Sequence, residues 1–209
     1  MLNRFARAFF GRLFTPVARL LLRLGISPDV VTLVGTLGVA AGALGFYPRH
    51  AFFWGTFVIT LFVFSDTVDG LMARMSERSS SWGAYLDSTL DRVGDAAIFG
   101  GLVLWYAGRG DNIAMASLAL ACLILGSVVS YAKARAEGLG MTANVGIAER
   151  ADRLVAVLVT TGLVGLGLPE VVLAVVLALL GLASLVTVVQ RMLTVRRQAL
   201  STAGPPAAG

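Results

Sequence analysis

Charge is scarce in this chain. Only 14% of its 209 residues are Asp, Glu, Lys or Arg and 57% are hydrophobic, against about 25% and 45–50% in soluble domains. That balance excludes an ordinary soluble globule. Cysteine is nearly absent: Cys122 stands alone, so no intramolecular disulfide can form. The one histidine, His50, lies at the predicted end of a span away from the acidic residues, where a surface role accounts for it. The chain also lacks an internal repeat, and its start lacks a compact apolar core followed by a small-residue cleavage site, so residues 1–24 are kept in the mature protein.

What is present is apolar sequence in blocks long enough to cross a bilayer, which takes about 20 residues per helix. Residues 1–24 come first, with Phe5, Phe9, Phe10, Leu13, Phe14, Val17, Leu20, Leu21 and Leu24 on one broad face and Arg4, Arg7, Arg12, Arg19 and Arg23 on the other. This pattern predicts an amphipathic interfacial helix. After Ser27 and Pro28, spans are expected at Val30–Tyr47, Ala51–Arg74, Trp82–Ala107, Asn112–Ala136, Arg153–Leu168 and Pro169–Leu193. The expected fold is an all-α membrane protein with about six transmembrane helices. Residues 25–197 form its membrane domain, and residues 198–209, with Gly204, Pro205 and Pro206, have the composition of a disordered tail. Trp54, Trp82 and Trp105 fall near predicted span ends, as an aromatic belt would place them.

A net charge of +5 and a pI near 10.1 would suggest nucleic acid in a soluble protein. The positions of the cations give another reading. Arg4, Arg7, Arg12, Arg19, Arg23, Arg74, Arg78, Lys133, Arg135, Arg150, Arg153, Arg191, Arg196 and Arg197 all fall on one side of the six-span arrangement, with Arg49 and Arg109 on the other. The positive-inside rule makes the crowded side cytoplasmic, with both termini inside. No nucleic-acid partner is expected.

Four acids stand out against this background. Asp66 and Asp69 end the second predicted span, and Asp87 and Asp91 begin the third. Spacings of three and four residues put each pair on one helix face. A carboxylate left in lipid costs at least a few kcal/mol, so the four need partners. Converging carboxylates repel unless cations intervene, and hard oxygen ligands suit Mg²⁺ or Mn²⁺, two ions being a natural count.

The residues around the acids read Asp66-x-x-Asp69-Gly70-x-x-Ala73-Arg74, then eight residues, then Gly83-x-x-x-Asp87-x-x-x-Asp91. This pattern resembles the signature of the CDP-alcohol phosphotransferase family. The resemblance implies a six-helix, usually homodimeric membrane enzyme that displaces CMP from a CDP-linked lipid such as CDP-diacylglycerol. It implies that Asp66 and Asp87 ligate both metals, Asp69 one and Asp91 the other, with Asp91 also the general base. Gly70 and Ala73 would admit the nucleotide, and Arg74 would pair with phosphate oxygens. Helix packing is the alternative for the two small residues. Pro28-Asp29-Val30-Val31-Thr32 resembles the stretch that holds the cytidine end. Many relatives have Asn where this chain has Asp29, which leaves helix capping as that residue's alternative role. Ser80 is a further candidate for the nucleotide. Asp95 extends the Asp87 and Asp91 face, and pairing with Arg92 or with a basic residue on another helix is preferred for it over metal binding.

The acceptor is read from cations. Lys133, Arg135, Arg153 and Arg191 fall at the same predicted ends of spans as the acids, and a phosphorylated acceptor needs such a set where an uncharged alcohol does not. The stretch from Asn144 to Arg153 resembles the actinobacterial members of the family that take inositol 1-phosphate. Arg135, Arg153 and Arg191 would then clamp its phosphate, with Lys133 in support. Glycerol 3-phosphate is the alternative acceptor. From a different class of function, the four acids could serve a cation transporter, a reading disfavoured by their terminal position and by the missing repeat.

Overall fold

In the computed structural model the described residues are 2–76, 80–147 and 149–202, with side chains from Leu13 to Ser201 apart from Asp66. They form eight α-helices and a single 3-10 turn at Tyr47–Arg49, with no strand among them. The helices are α1 (Leu2–Arg23), α2 (Pro28–Phe46), α3 (Phe52–Val63), α4 (Ser65–Met75), α5 (Ser81–Ala107), α6 (Ile113–Glu137), α7 (Arg150–Val164) and α8 (Glu170–Thr202). Four stretches are long and apolar enough to cross a membrane: Pro28–Arg49, Phe52–Met75, Ile113–Glu137 and Glu170–Ser201. At the other two expected positions lie the helices α5 and α7, which are not among these four stretches. The first 15 residues of α5 carry Asp87, Asp91, Arg92 and Asp95, and α7 has only 15 residues.

The chain divides into two compact units, Met1–Gly101 and Leu102–Gly209, with α5 running across the division. In the first, Ser27 caps α2 by accepting from the Val30 amide at 3.4 Å, and Pro28 fills the first turn, where its missing N–H costs nothing. Capping is therefore done by Ser27, and Asp29 sits inside the first turn. Glycines on α2 let α3 approach closely. A Cβ at Gly38 would overlap the Phe62 ring, and one at Gly42 would lie 3.0 Å from Val58 Cγ1. Close packing matters here because lipid tails are as apolar as the side chains and supply no hydrophobic drive between helices.

The expected second span is one stretch with a break at Phe64, where α3 stops and α4 begins. Ser65 donates to the Phe62 carbonyl at 2.6 Å, and the Thr67 amide donates to the Phe64 carbonyl at 3.1 Å. Against α4 lies α1: Ala18, Val68 and Met72 form a buried cluster covered by Phe14, Leu21 and Leu22. The rings of Phe14 and Phe64 stand 5.5 Å apart. Leu13, Val17, Leu20 and Leu24 of the first helical segment and its exit remain exposed, so its described part is apolar on two sides.

In the second unit α6 packs along α8, and the Cys122 thiol donates to the Leu177 carbonyl at 3.1 Å. The connection from α6 to α7 is tied to α8 along its length. Gln198 accepts from the Thr142 amide at 3.0 Å and donates to the Thr142 carbonyl at 2.6 Å. Thr187 accepts from the Ile147 amide at 3.2 Å, and Arg191 donates to the Val145 carbonyl at 3.0 Å. Gly146, at φ +143°, sits against Thr187, so a side chain there would meet both strain and overlap. Residues 198–202, expected in the tail, continue the last helix, where Gln198 is bound to the preceding connection, and residues 203–209 lie outside those described.

Candidate active site

The first unit holds a cavity of about 420 Å³ between the start of α2, the length of α4 and the start of α5. Pro28, Asp29, Thr32, Asp69, Gly70, Ala73, Arg74, Ser80, Gly83, Ala84 and Asp87 line it. Each arrives by a local rule. Thr32 stands one turn on from Pro28, so its hydroxyl lies 3.1 Å from the Pro28 carbonyl while donating to Asp69 Oδ2 at 2.5 Å. A hydrogen bond to a carboxylate at that length is charge-assisted and about twice as strong as a neutral one. It fixes Asp69, which is only 7% exposed. On the same helix Arg74 is exposed and donates from Nε to the Gly70 carbonyl at 3.0 Å. Ser80 caps α5 by accepting from the Gly83 amide at 3.0 Å. A Cβ at Gly83 would lie 3.4 Å from that hydroxyl oxygen and 3.8 Å from Asp29 Oδ1, so the missing side chain keeps the cavity open between them.

All seven residues expected to hold the nucleotide lipid, Asp29, Thr32, Asp69, Gly70, Ala73, Arg74 and Ser80, thus line one cavity, together with Asp87. Ala84 is a wall the motif did not flag. Its signal was a small residue three positions before Asp87, on the same helix face. Asp91 is outside this lining. Its Oδ2 lies 3.6 Å from Arg92 Nη2, which is also 3.8 Å from Asp95 Oδ2, as preferred for Asp95. The side chain of Asp66 lies outside the described residues. Among the described side chains no three acids, histidines or cysteines gather around one metal position. The chemistry of the donors fits a hard divalent cation: Asp69 and Asp87 offer carboxylate oxygens to one polar cavity.

The second unit deploys its cations differently. Arg153 is 2% exposed and packs on α6 where Gly126 leaves room, a Cβ there falling 3.1 Å from its Nε. Glu149 and Asp152 form a capping box that starts α7 beside it. Arg191, 8% exposed, donates to the carbonyls of Val145 at 3.0 Å and Val129 at 2.5 Å. Lys133 lies 3.9 Å from Glu137, a pair one turn apart. Lys133 follows Gly126 by seven residues, about two helical turns, and so shares the face that Arg153 packs on. Arg135 follows Gly126 by nine residues, about two and a half turns, on the opposite face. Arg135 and Arg191 line one groove; Lys133 and Arg153 are not among its walls.

The sequence model described as CDP-alcohol phosphatidyltransferase matches residues 25–146, more than half of the chain. The chain belongs to this family. Among its curated relatives, the phosphatidylinositol phosphate synthase of Streptomyces avermitilis is 59% identical over 204 residues, covering 95% of this chain and 84% of that one. The protein of the same name from Mycolicibacterium smegmatis is 44% identical over 193 residues, 91% of this chain and 86% of that one. A crystal structure of Mycobacterium tuberculosis phosphatidylinositol phosphate synthase with CDP-DAG bound superposes with a TM-score of 0.83 at 43% identity, covering 88% of this chain and 94% of that one. Another, in complex with manganese and citrate, gives 0.81 at 42% identity over 87% and 88%. Membership of the family makes the chain a membrane-associated enzyme whose acidic motif belongs to a metal-dependent transferase.

Proposed function

We propose that this enzyme transfers the phosphatidyl group of CDP-diacylglycerol to inositol 1-phosphate, giving phosphatidylinositol phosphate and CMP. The observation that carries the reading is the single cavity lined by Asp29, Thr32, Asp69, Gly70, Ala73, Arg74 and Ser80 beside Asp87. Support for the acceptor comes from relatives that bear the name phosphatidylinositol phosphate synthase at up to 59% identity.

In this mechanism the cytidine end rests against Asp29, Thr32 and the capped start of α5. The absent side chains at Gly70 and Gly83 let the diphosphate approach the backbone, and Arg74 pairs with its oxygens. Mg²⁺ or Mn²⁺, two ions in number, would be held by Asp66, Asp69, Asp87 and Asp91 and would neutralise the diphosphate's charge. Asp91 takes the proton of the attacking hydroxyl, whose oxygen bonds to the lipid-side phosphorus as the bond to CMP breaks. Lys133, Arg153 and Arg191 hold the acceptor's phosphate. Arg135, expected beside them, lies by helical spacing on the opposite face of α6 from Lys133 and borders a groove with Arg191.

The same reading places the protein in the cell's inner membrane as a homodimer. The domain at 25–197 contributes six spans, α5 and α7 crossing with the four apolar stretches, and α1 lies in the interface. Both termini and the cavity face the cytoplasm, following the crowded arginines. The deciding experiment is CMP release by detergent-purified protein supplied with CDP-diacylglycerol and Mg²⁺, with inositol 1-phosphate, glycerol 3-phosphate, free inositol or serine as acceptor. Turnover with inositol 1-phosphate alone is expected. Preference for glycerol 3-phosphate would overturn the acceptor while leaving the donor chemistry in place.

A further inference from the structure

The groove between the arginine-bearing ends of α6 and α8 encloses about 420 Å³, and of Lys133, Arg153 and Arg191 only Arg191 borders it. Its chemistry is divided. Val128, Leu139, Val188 and Met192 are among its apolar walls, and Arg135 and Arg196 stand exposed on it. Neither of these arginines forms an ion pair among the described residues. Arg191 also borders the groove, with two of its five donors given to the carbonyls of Val145 and Val129. A polyol phosphate would find guanidinium groups and the Tyr131 hydroxyl there, against walls that are otherwise apolar. An amphiphile finds both halves matched: both helices lie in candidate spans, so an acyl chain can enter along the walls while cations meet its headgroup.

We propose that this groove binds an anionic phospholipid, with its headgroup phosphate between Arg135 and Arg196 and an acyl chain against Val188 and Met192. The lipid is bound here and not transformed, and the site shares only Arg191 with the acceptor assignment.

The test is native mass spectrometry of the full chain in detergent, titrated with dioleoylphosphatidylglycerol or dioleoylphosphatidylcholine. A cation near a membrane surface contributes about 1 kcal/mol, so the wild type should prefer the anionic lipid by about fivefold or more per arginine. The Arg196→Gln variant should lose about fivefold of that preference, Arg196→Lys should keep most of it, and both should release CMP at the wild-type rate. Met192→Trp, which fills the groove, should weaken retention of both lipids. Equal retention of the two lipids by the wild type would overturn the proposal, as would an unchanged preference in Arg196→Gln. Displacement by glycerol 3-phosphate would identify an anion site without a lipid requirement and overturn it too. Dissociation of a dimer by Met192→Trp would do the same, by giving the groove to a second copy of the chain.

Discussion

In the first unit Asp29, Thr32, Asp69, Arg74 and Asp87 border an open cavity. In the second, Arg191, Thr187 and Gln198 hydrogen-bond the main chain of the connection between α6 and α7, Arg191 also binds the Val129 carbonyl of α6, and Arg153 is packed against α6. One set of polar residues is presented to a ligand; the other first builds the surface that a ligand would meet. The comparison teaches that a cation's presence at the right end of a span says less about binding than its remaining hydrogen-bonding capacity does. Arg191 has already given two donors away, and a planar guanidinium with five donors can do so and still reach a phosphate.

The contrast can be broken most severely at Asp91. Its replacement by Asn should lower CMP release by at least about 100-fold while nucleotide binding survives in part, as measured by turnover beside CDP-diacylglycerol binding. Near-normal turnover would remove Asp91 as the base. In the second unit, Arg153→Ala should raise the acceptor KM about tenfold or more, from the loss of a charged hydrogen-bonding group, with a smaller effect on the donor KM. Equal changes in both would make Arg153 a packing residue only.

Packing sharpens the comparison further. Gly38→Val should cost about 1–3 kcal/mol through overlap with Phe62, seen as a lower melting temperature in detergent. Gly100→Ala, whose added Cβ meets nothing within 4 Å, should leave it unchanged. Gln198→Ala should cost about 1 kcal/mol, read as faster hydrogen exchange at the Thr142 amide without loss of activity. Unchanged exchange there would mean that the tie to α8 does not hold the connection.

The cavity was legible because its residues repeat at helical spacing. Asp69 and Ala73, Gly70 and Arg74, and Gly83 and Asp87 each declare a face before any contact is known. The capping of α5 by Ser80 was hidden only because a serine in a connecting segment has several ordinary uses. The break at Phe64 had no signal: no proline or glycine stands there, and Ser65 ends α3 through a local bond to Phe62. The ties between Thr142 and Gln198 and between Val145 and Arg191 join residues 56 and 46 positions apart, a separation no periodicity reports. For the same reason the opposite directions of Arg135 and Lys133 emerged only when Gly126 was found to receive Arg153.

The break at Phe64 also sets a depth. The helix α3 has 12 residues and so is about 18 Å long, whereas the hydrocarbon layer of a bilayer is about 30 Å thick. If Phe52 marks one boundary of that layer, Asp66 and Asp69 begin below the level of the opposite headgroups. The lipid substrate then reacts without being lifted out of its leaflet, and it is the water-soluble acceptor that must descend, leaving part of its hydration behind as it reaches the acids.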